Sequence, residues 1–557
     1  MKYTGAEILI ELLERHGIKT IAGIPGGANL PIYHALSKSK IRHILTRHEQ
    51  GAGFIAQGMA RTTGKAAVCF ATSGPGATNL LTAIADAKLD SIPVIAITGQ
   101  VPLKLIGTDA FQEVDTYGMT LPITKHNFLI RDAEELFTVI PEAFRIAEEG
   151  RPGPVVIDIP KDIQKQQITF DKWPDLKREN KRQQIDKARI EEIAKLINES
   201  KRPLLYIGGG ITSSGSHEMI YDLANKNSIP LTSTLMGLGC FPPDDPLFLG
   251  MLGMHGARYT NKILNEADLL LAFGVRFDDR ATGKVEKFCP DARIIHIDID
   301  HSEIDKIKKA DLSLIGDINA ALKSLLPLIN SNKRWNWIST IEKIKQSDPF
   351  IIPEDKDPLN PLNIIKEIGR IADSDTIITT DVGQHQMWTA QIYPFRSPRT
   401  LLTSGGLGTM GFGMPAAIGA ALAHPDRRII CISGDGSFLM NIQELATLSE
   451  LNLNVTVLIL DNGHLGLVRQ QQEFFYEKNY MASKFDSNPD FKAIAQGFHI
   501  KSYDLGKEDD PADILSRSIS EPGPCIVTIP IDHTENVTPM VPPGAGNHEM
   551  IGGEKNE

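Results

Sequence analysis

The chain is 557 residues long, more than one hydrophobic core serves, and roughly 150 residues per domain predicts three or four domains. Its 58 Lys and Arg against 69 Asp and Glu leave a formal net charge of -11, and no long basic block offers a nucleic acid or an anionic membrane an electrostatic partner. Five cysteines (Cys69, Cys240, Cys289, Cys431, Cys525) lack CxxC spacing, so they read as reduced, buried thiols and not as a disulfide frame or zinc site.

The opening stretch "MKYTGAEILIELLERHGIKT" carries acids throughout its apolar run and reads as an amphipathic helix, not a signal peptide. No segment reaches 18 uninterrupted apolar residues, so no membrane span is predicted and the expected location is the cytoplasm. Residues 68–98, "VCFATSGPGATNLLTAIADAKLDSIPVIAIT", read strand, Gly-x-Gly turn, helix, strand, and the small-residue helix "GAGFIAQGMARTTG" precedes them. The pattern returns at 429–460, "IICISGDGSFLMNIQELATLSELNLNVTVLIL", behind "GFGMPAAIGAALAH". Strands joined through helices predict parallel α/β sheets with right-handed crossovers.

Between these repeats, "PLLYIGGG" (203–210), "DLLLAFGVRFDD" (268–279) and "ARIIHIDID" (292–300) end in glycines or acids. Such ends suit a nucleotide's phosphates and ribose, and equally suit ligand-free strand-to-helix turns. Charged residues 166–190 and the proline-broken stretch 331–362 read as linkers. The predicted α/β domains are therefore 1–165, 191–330 and 363–530, with a C-terminal tail at 531–557.

The pair "GDG" (434–436) and "DNGH" (461–464) carries the sharpest chemistry. Asp435 at a strand end, Asn462 and a main-chain carbonyl near His464 supply hard oxygen ligands for Mg²⁺ and leave places for diphosphate oxygens. Gly434, Gly436 and Ser437 open the following helix, whose N-terminus suits phosphate. Taken singly, each motif is ordinary turn chemistry. Downstream, Leu467, Val468, Gln471, Phe474 and Phe475 fall on one helical stripe expected to face something apolar, which leaves Gln471 as an amide in a hydrophobic row.

The GDG–DN pair resembles the motif of thiamine-diphosphate enzymes, with Asp461-Asn462 where many members carry Asn-Asn. The resemblance implies a pyrimidine domain, a middle domain and a diphosphate domain. Its match to "RHEQGAGFIAQGMAR" assigns Glu49 to the aminopyrimidine, where a carboxyl on ring N1′ promotes removal of the thiazolium proton. Without that match, Glu49 reads as a helix cap or surface charge. By the same resemblance Gln384 and His385 ("DVGQHQMW") lie near the diphosphate, and Gly408 and Met410 ("SGGLGTMGFG") hold the pyrimidine.

Within that group the chain resembles the catalytic subunits of acetohydroxyacid (acetolactate) synthases, particularly the bacterial isozyme I type. The likeness runs over essentially the whole chain, through "GIPGGA", "GTDAFQE", "RPGPVVIDIPKD", "GMLGMHG", "FGVRFDDRATGK" and "MVPPGAGN". It implies FAD in the middle domain without net redox role, beside Ser91, Arg151, Gly209, Gly210, Thr234, Leu235, Met254, His255, Arg276, Asp298 and Asp317. It also implies a homodimer, or a tetramer, whose active sites combine the first domain of one chain with the third of its partner, and a small regulatory subunit.

The implied reaction decarboxylates pyruvate and joins its two-carbon unit to a second pyruvate, giving 2-acetolactate, or to 2-oxobutanoate, giving 2-aceto-2-hydroxybutyrate. The family match gives Arg280 the incoming carboxylate, although an Arg after two aspartates also reads as a local ion pair. Gly27, Ala28, Phe111, Gln112 and Lys161 correspond to first-domain residues of the same pocket, with a backbone N–H near Gly27 for oxyanion charge. At Gln471 most members carry a tryptophan in "QWQ", so weak preference for 2-oxobutanoate is expected. An FAD-using pyruvate oxidase and an inactive regulatory homologue are the alternative readings. "GTDAFQE" and "GVRFDDR" disfavour the first; the presence of Glu49, Asp435, Asn462 and Arg280 disfavours the second.

Overall fold

A computed structural model describes residues 1–176, 185–353 and 357–553. Parts of both predicted linkers and the last four tail residues lie outside the described residues. The opening helix Gly5–Arg15 starts on a capping box: Thr4 Oγ1 accepts from Glu7 N at 3.3 Å, while Thr4 N donates to Glu7 Oε2 at 2.8 Å. Its Ile8, Leu9, Leu12 and Leu13 are buried. The strand Lys2–Thr4 before it pairs antiparallel with Gln167–Thr169.

Three six-stranded sheets follow, every pairing within them parallel. In spatial order the first runs Arg42–Leu45, Thr20–Gly23, Ala67–Ala71, Val94–Gln100, Val155–Pro160, His126–Leu129. The last runs Leu401–Leu402, Ile377–Thr380, Ile429–Gly434, Val455–Asp461, Cys525–Pro530, Lys501–Asp504. Counted along the chain, both have strand order 2-1-3-4-6-5, so the repeat read from the sequence is a repeat of topology. The middle sheet has order 3-2-1-4-5-6, the arrangement that opens a dinucleotide crevice between strands 1 and 4, here Pro203–Ile207 and Leu269–Phe273.

The first and last domains meet through two small-residue helices, Glu49–Thr63 and Gly413–Ala423. A methyl group at Gly58 would overlap Ala416 O and one at Gly419 would overlap Ile55 O, so glycine is what lets these backbones touch. One apolar cluster accordingly runs through both sheets, joining Phe54 and Ile55 to Phe412 and Ile418. All five cysteines are buried free thiols, as expected.

Three elements differ from the sequence reading, the first being the paired strand Gln167–Thr169 inside the predicted linker 166–190. Within 331–362, Trp335–Ser347 form a helix, because Trp337 is buried and its Nε1 donates to Pro203 O at 3.0 Å. The helix expected after GDG is broken into Asp435–Phe438, a tight turn Leu439–Glu444 and Leu445–Leu451. Asn441 leaves helical geometry there, its Nδ2 donating to Gly411 O at 2.7 Å and to Gln50 Oε1 at 3.1 Å.

Candidate active site

The two motif residues proposed for the metal lie past the C-terminal ends of parallel strands, where an open α/β sheet holds ligands. In the last domain Asp435 follows Ile429–Gly434 and Asn462 follows Val455–Asp461. Asn488 Nδ2 bridges the two carboxylates, donating to Asp435 Oδ2 at 2.7 Å and to Asp461 Oδ1 at 2.6 Å. Burial and the Asp461 charge push the Asp435 carboxyl up to about 7. A buried carboxylate beside a second, half-buried one favours a divalent cation. Among the described residues no cluster of three His, Cys, Asp or Glu has metal-binding spacing. The predicted shell needs none, since it uses one carboxylate, one amide and a carbonyl.

Asn462 Oδ1 accepts from His464 N at 3.0 Å and its own carbonyl meets His464 Nδ1 at 2.7 Å. The His464 ring stacks on His533 with centroids 4.8 Å apart, so its imidazole is committed and a carbonyl is what the turn offers a metal. Ser437 Oγ accepts from Gly434 N at 3.2 Å. A side chain at Gly434 would stand 2.9 Å from His385 Nδ1, so glycine admits that ring. Burial lowers His385 to about 3 and its buried Nε2 has no partner in the chain, which fits a neutral imidazole beside a bound phosphate oxygen. Gln384 Oε1 accepts from Asn462 Nδ2 at 3.2 Å and orients that residue. Together these features fit thiamine diphosphate with a metal ion.

Gly408 has φ +70°, in a loop tied to the first domain. Asp90 accepts from Gly405 N at 3.0 Å and Gly406 N at 2.7 Å, and Asp86 accepts from the Ser404 hydroxyl. Arg61 joins both carboxylates, at 3.3 Å to Asp86 and 2.8 Å to Asp90, with all three side chains buried. Met410, two residues past Gly408, is half-buried.

The first-domain residues collect at the end of their own sheet. Glu49 opens the helix Glu49–Thr63, is buried, and accepts from Asn79 Nδ2 at 2.9 Å. Gln164 Nε2 donates to Ala28 O at 2.8 Å, joining the Gly27-Ala28 turn to the short helix begun by Lys161. Gln112, at φ +59°, packs on the turn of Gly74. Phe111, which core packing would have claimed, is 87% exposed.

The middle domain opens into a cavity of about 650 Å³. Its lining includes all eleven residues expected beside a flavin: Ser91, Arg151, Gly209, Gly210, Thr234, Leu235, Met254, His255, Arg276, Asp298 and Asp317. A side chain on Gly210 would stand 2.5 Å from Gly274 Cα, so the crevice floor is backbone against backbone, and burial raises Asp298 to about 6. Arg151 Nε donates to Ser91 Oγ at 2.8 Å within the first domain, and its Nη1 reaches Asp300 Oδ2 at 3.1 Å and Glu303 Oε1 at 2.5 Å in the middle domain, closing the cavity between the two. The Asp317 carboxylate also caps a helix, accepting from Ala320 N at 2.8 Å. These groups fit a dinucleotide. Gly408, Arg280 and Gln471 line the same cavity; Glu49, Phe111, Gln112 and Lys161 do not. Arg280, largely exposed, forms with Asp279 at 3.8 Å the weak local pair read from the sequence, and its Nη1 donates to Met254 Sδ at 3.6 Å.

The apolar stripe expected to be buried on the helix Gly466–Phe475 is corrected. Arg469 and Gln470 are its buried residues, Leu467, Phe474 and Phe475 are half-buried, and Val468 and Gln471 are exposed. Arg469 is held by Glu473 at 2.8 Å, and Gln470 by backbone hydrogen bonds. Sequence reasoning missed Asn488 and Gln470, because an asparagine before Pro489 reads as a turn and a glutamine in a polar run reads as surface.

Two sheets of one topology, with the GDG–DN pair at the strand ends of one, flank a dinucleotide-type sheet and define a thiamine pyrophosphate enzyme. Family models agree: "Thiamine pyrophosphate enzyme, N-terminal TPP binding domain" matches 3–119, its central domain 190–325, and its C-terminal TPP binding domain 381–529. The chain is 55% identical to the acetolactate synthase isozyme 1 large subunit of Escherichia coli, over 99% of this chain and 98% of that protein. It is 44% identical to the isozyme 2 large subunit of that organism, over 98% and 99%, and 45% identical to the chloroplastic acetolactate synthase of Arabidopsis thaliana, over 98% and 84%. The chain belongs to the acetolactate synthase large subunits, the catalytic subunits of a thiamine-diphosphate-dependent enzyme. No helix among the described residues is long and apolar enough to cross a membrane.

Proposed function

We propose that this chain converts two molecules of pyruvate to 2-acetolactate and CO₂, and pyruvate with 2-oxobutanoate to 2-aceto-2-hydroxybutyrate, in branched-chain amino acid biosynthesis. The observation that carries this reading is the single cavity that gathers the eleven flavin-side residues with Arg280 and Gln471. Asp435, Asn462 and a carbonyl near His464 would hold Mg²⁺; Gly434, Gly436, Ser437, Gln384 and His385 the diphosphate; Gly408 and Met410 the pyrimidine. When bound, thiamine diphosphate supplies the electron sink for loss of CO₂ from a 2-oxo acid.

The protein's part is placement. Glu49 holds the proton shared with the aminopyrimidine N1′. Arg280 offers its guanidinium fork to the incoming carboxylate, and the backbone at Gly27 faces developing oxyanion charge. Ala28, Phe111, Gln112 and Lys161, supplied by a second copy of the chain, complete the pocket. FAD fills the middle crevice without a net redox role. The separation of Glu49, Gln112 and the exposed Phe111 from the cavity of Arg280 and Gln471 supports a homodimer, in which a second copy completes each site. The relatives are named large subunits, so a small regulatory partner is part of the proposal, as is a cytoplasmic location.

Gln471 is exposed at the cavity wall, where a polar amide gives the ethyl group of 2-oxobutanoate little apolar surface. One methylene in an apolar pocket is worth about 1–3 kcal/mol of discrimination, so Gln471→Trp should raise the ratio of acetohydroxybutyrate to acetolactate by roughly tenfold or more. Competition between the two substrates reads it directly, and an unchanged ratio rejects the assignment.

A further inference from the structure

We propose that Gln470, beside the selectivity residue, is a positioning residue that sets the spacing between the metal-binding turn and Arg280 by clamping its helix to the C-terminal tail. The inference rests on the function proposed above. Gln470 is fully buried. Its Oε1 accepts from Val537 N at 2.8 Å and its Nε2 donates to Val537 O at 3.0 Å, so one side chain satisfies both backbone groups of a tail residue.

The bonds continue in both directions. Gln384 Nε2 donates to Gln470 Oε1 at 3.1 Å and to Glu535 O at 2.8 Å, and Gln384 Oε1 accepts from Asn462 Nδ2 at 3.2 Å. Beyond the clamp the tail reaches the cavity at Met540. Val541 N then donates to Met254 O at 2.9 Å, and Met254 N donates to Arg280 O at 2.8 Å. Asn547 Nδ2 fixes the next carbonyl, Ala281 O, at 2.8 Å. A continuous run of hydrogen bonds and tail backbone therefore joins Asn462 to the residue proposed to take the substrate carboxylate. Gln471 follows Gln470 on the same helix, so a slipped clamp moves the selectivity wall as well. A glutamine with only a local structural duty would bond within its own helix, whereas these partners are 67 and 86 residues away.

The test uses Gln470→Met, which keeps side-chain volume and removes the hydrogen bonds. In the cofactor-free protein, hydrogen exchange at the amides of Val537, Met540 and Val541 should accelerate at least tenfold, with strand Val455–Asp461 unchanged. Unchanged protection of these three amides overturns the clamp. In the loaded enzyme the KM for the 2-oxo acids should rise several-fold and the product ratio shift, with Gln470→Glu, which retains the acceptor atom, partly restoring both. Faster exchange with unaltered KM and ratio overturns the positioning role. If the wild type makes no acetolactate, the functional reading fails, while the exchange result still decides the clamp.

Discussion

Glu49→Gln is expected to lower acetolactate formation by about 10²–10⁴-fold, the range carried by a positioned general acid or base. The substitution keeps the shape of the side chain and an oxygen for Asn79 Nδ2, which donates to Glu49 at 2.9 Å, so the fold has no reason to respond. A rival account exists in the same geometry. Glu49 stands in the first turn of its helix, where a carboxylate gains about 0.3–1 kcal/mol from the helix dipole. That account predicts a small loss of stability and an enzyme within a few-fold of wild type. Turnover and thermal unfolding measured on one preparation separate the two, and a rate loss below about tenfold removes Glu49 from the chemistry.

Asp435→Asn is the second large effect, and it falls on binding. The side chain sits with Asp461 around the Asn488 amide, in a place where burial makes an uncompensated carboxylate costly. Losing a supporting residue around a metal typically costs 10–100-fold in affinity, so losing the carboxylate itself should cost at least about 100-fold. Mn²⁺ binding followed by electron paramagnetic resonance, in the presence of thiamine diphosphate, reads this without turnover. Because the variant removes a buried carboxylate that faces the half-buried Asp461, the metal-free protein should be no less stable than wild type. Retention of wild-type metal affinity would move the site away from Asp435.

Glu49 and Asp435 both sit in motifs legible in the sequence, for a physical reason. GDG and DNGH are local, since their spacing along one strand–helix–strand unit already brings Asp435 and Asn462 to neighbouring strand ends. The middle domain was legible in part, because strands ending in glycine or acid marked the crevice while periodicity left it open whether a ligand fills it. Contacts made across the chain were not legible. Asn488 and Gln470 act through partners 53 and 67 residues away, and nothing in their neighbourhoods distinguishes a bridge from a surface amide. The helix Gly466–Phe475 teaches the converse. Its period suggested an apolar buried face, yet specific hydrogen bonds and an ion pair buried Arg469 and Gln470 in its place. Trp337 likewise turned part of a proline-rich stretch into a packed helix.

The proposed reaction is a carboligation that needs a flavin and consumes no oxidant. The direct measurement is acetolactate formation from pyruvate under strict anaerobiosis, with thiamine diphosphate, Mg²⁺ and FAD present and every electron acceptor left out. Undiminished acetolactate and CO₂ in equal amounts are predicted. An absolute requirement for an electron acceptor, with acetate as the product, would contradict it.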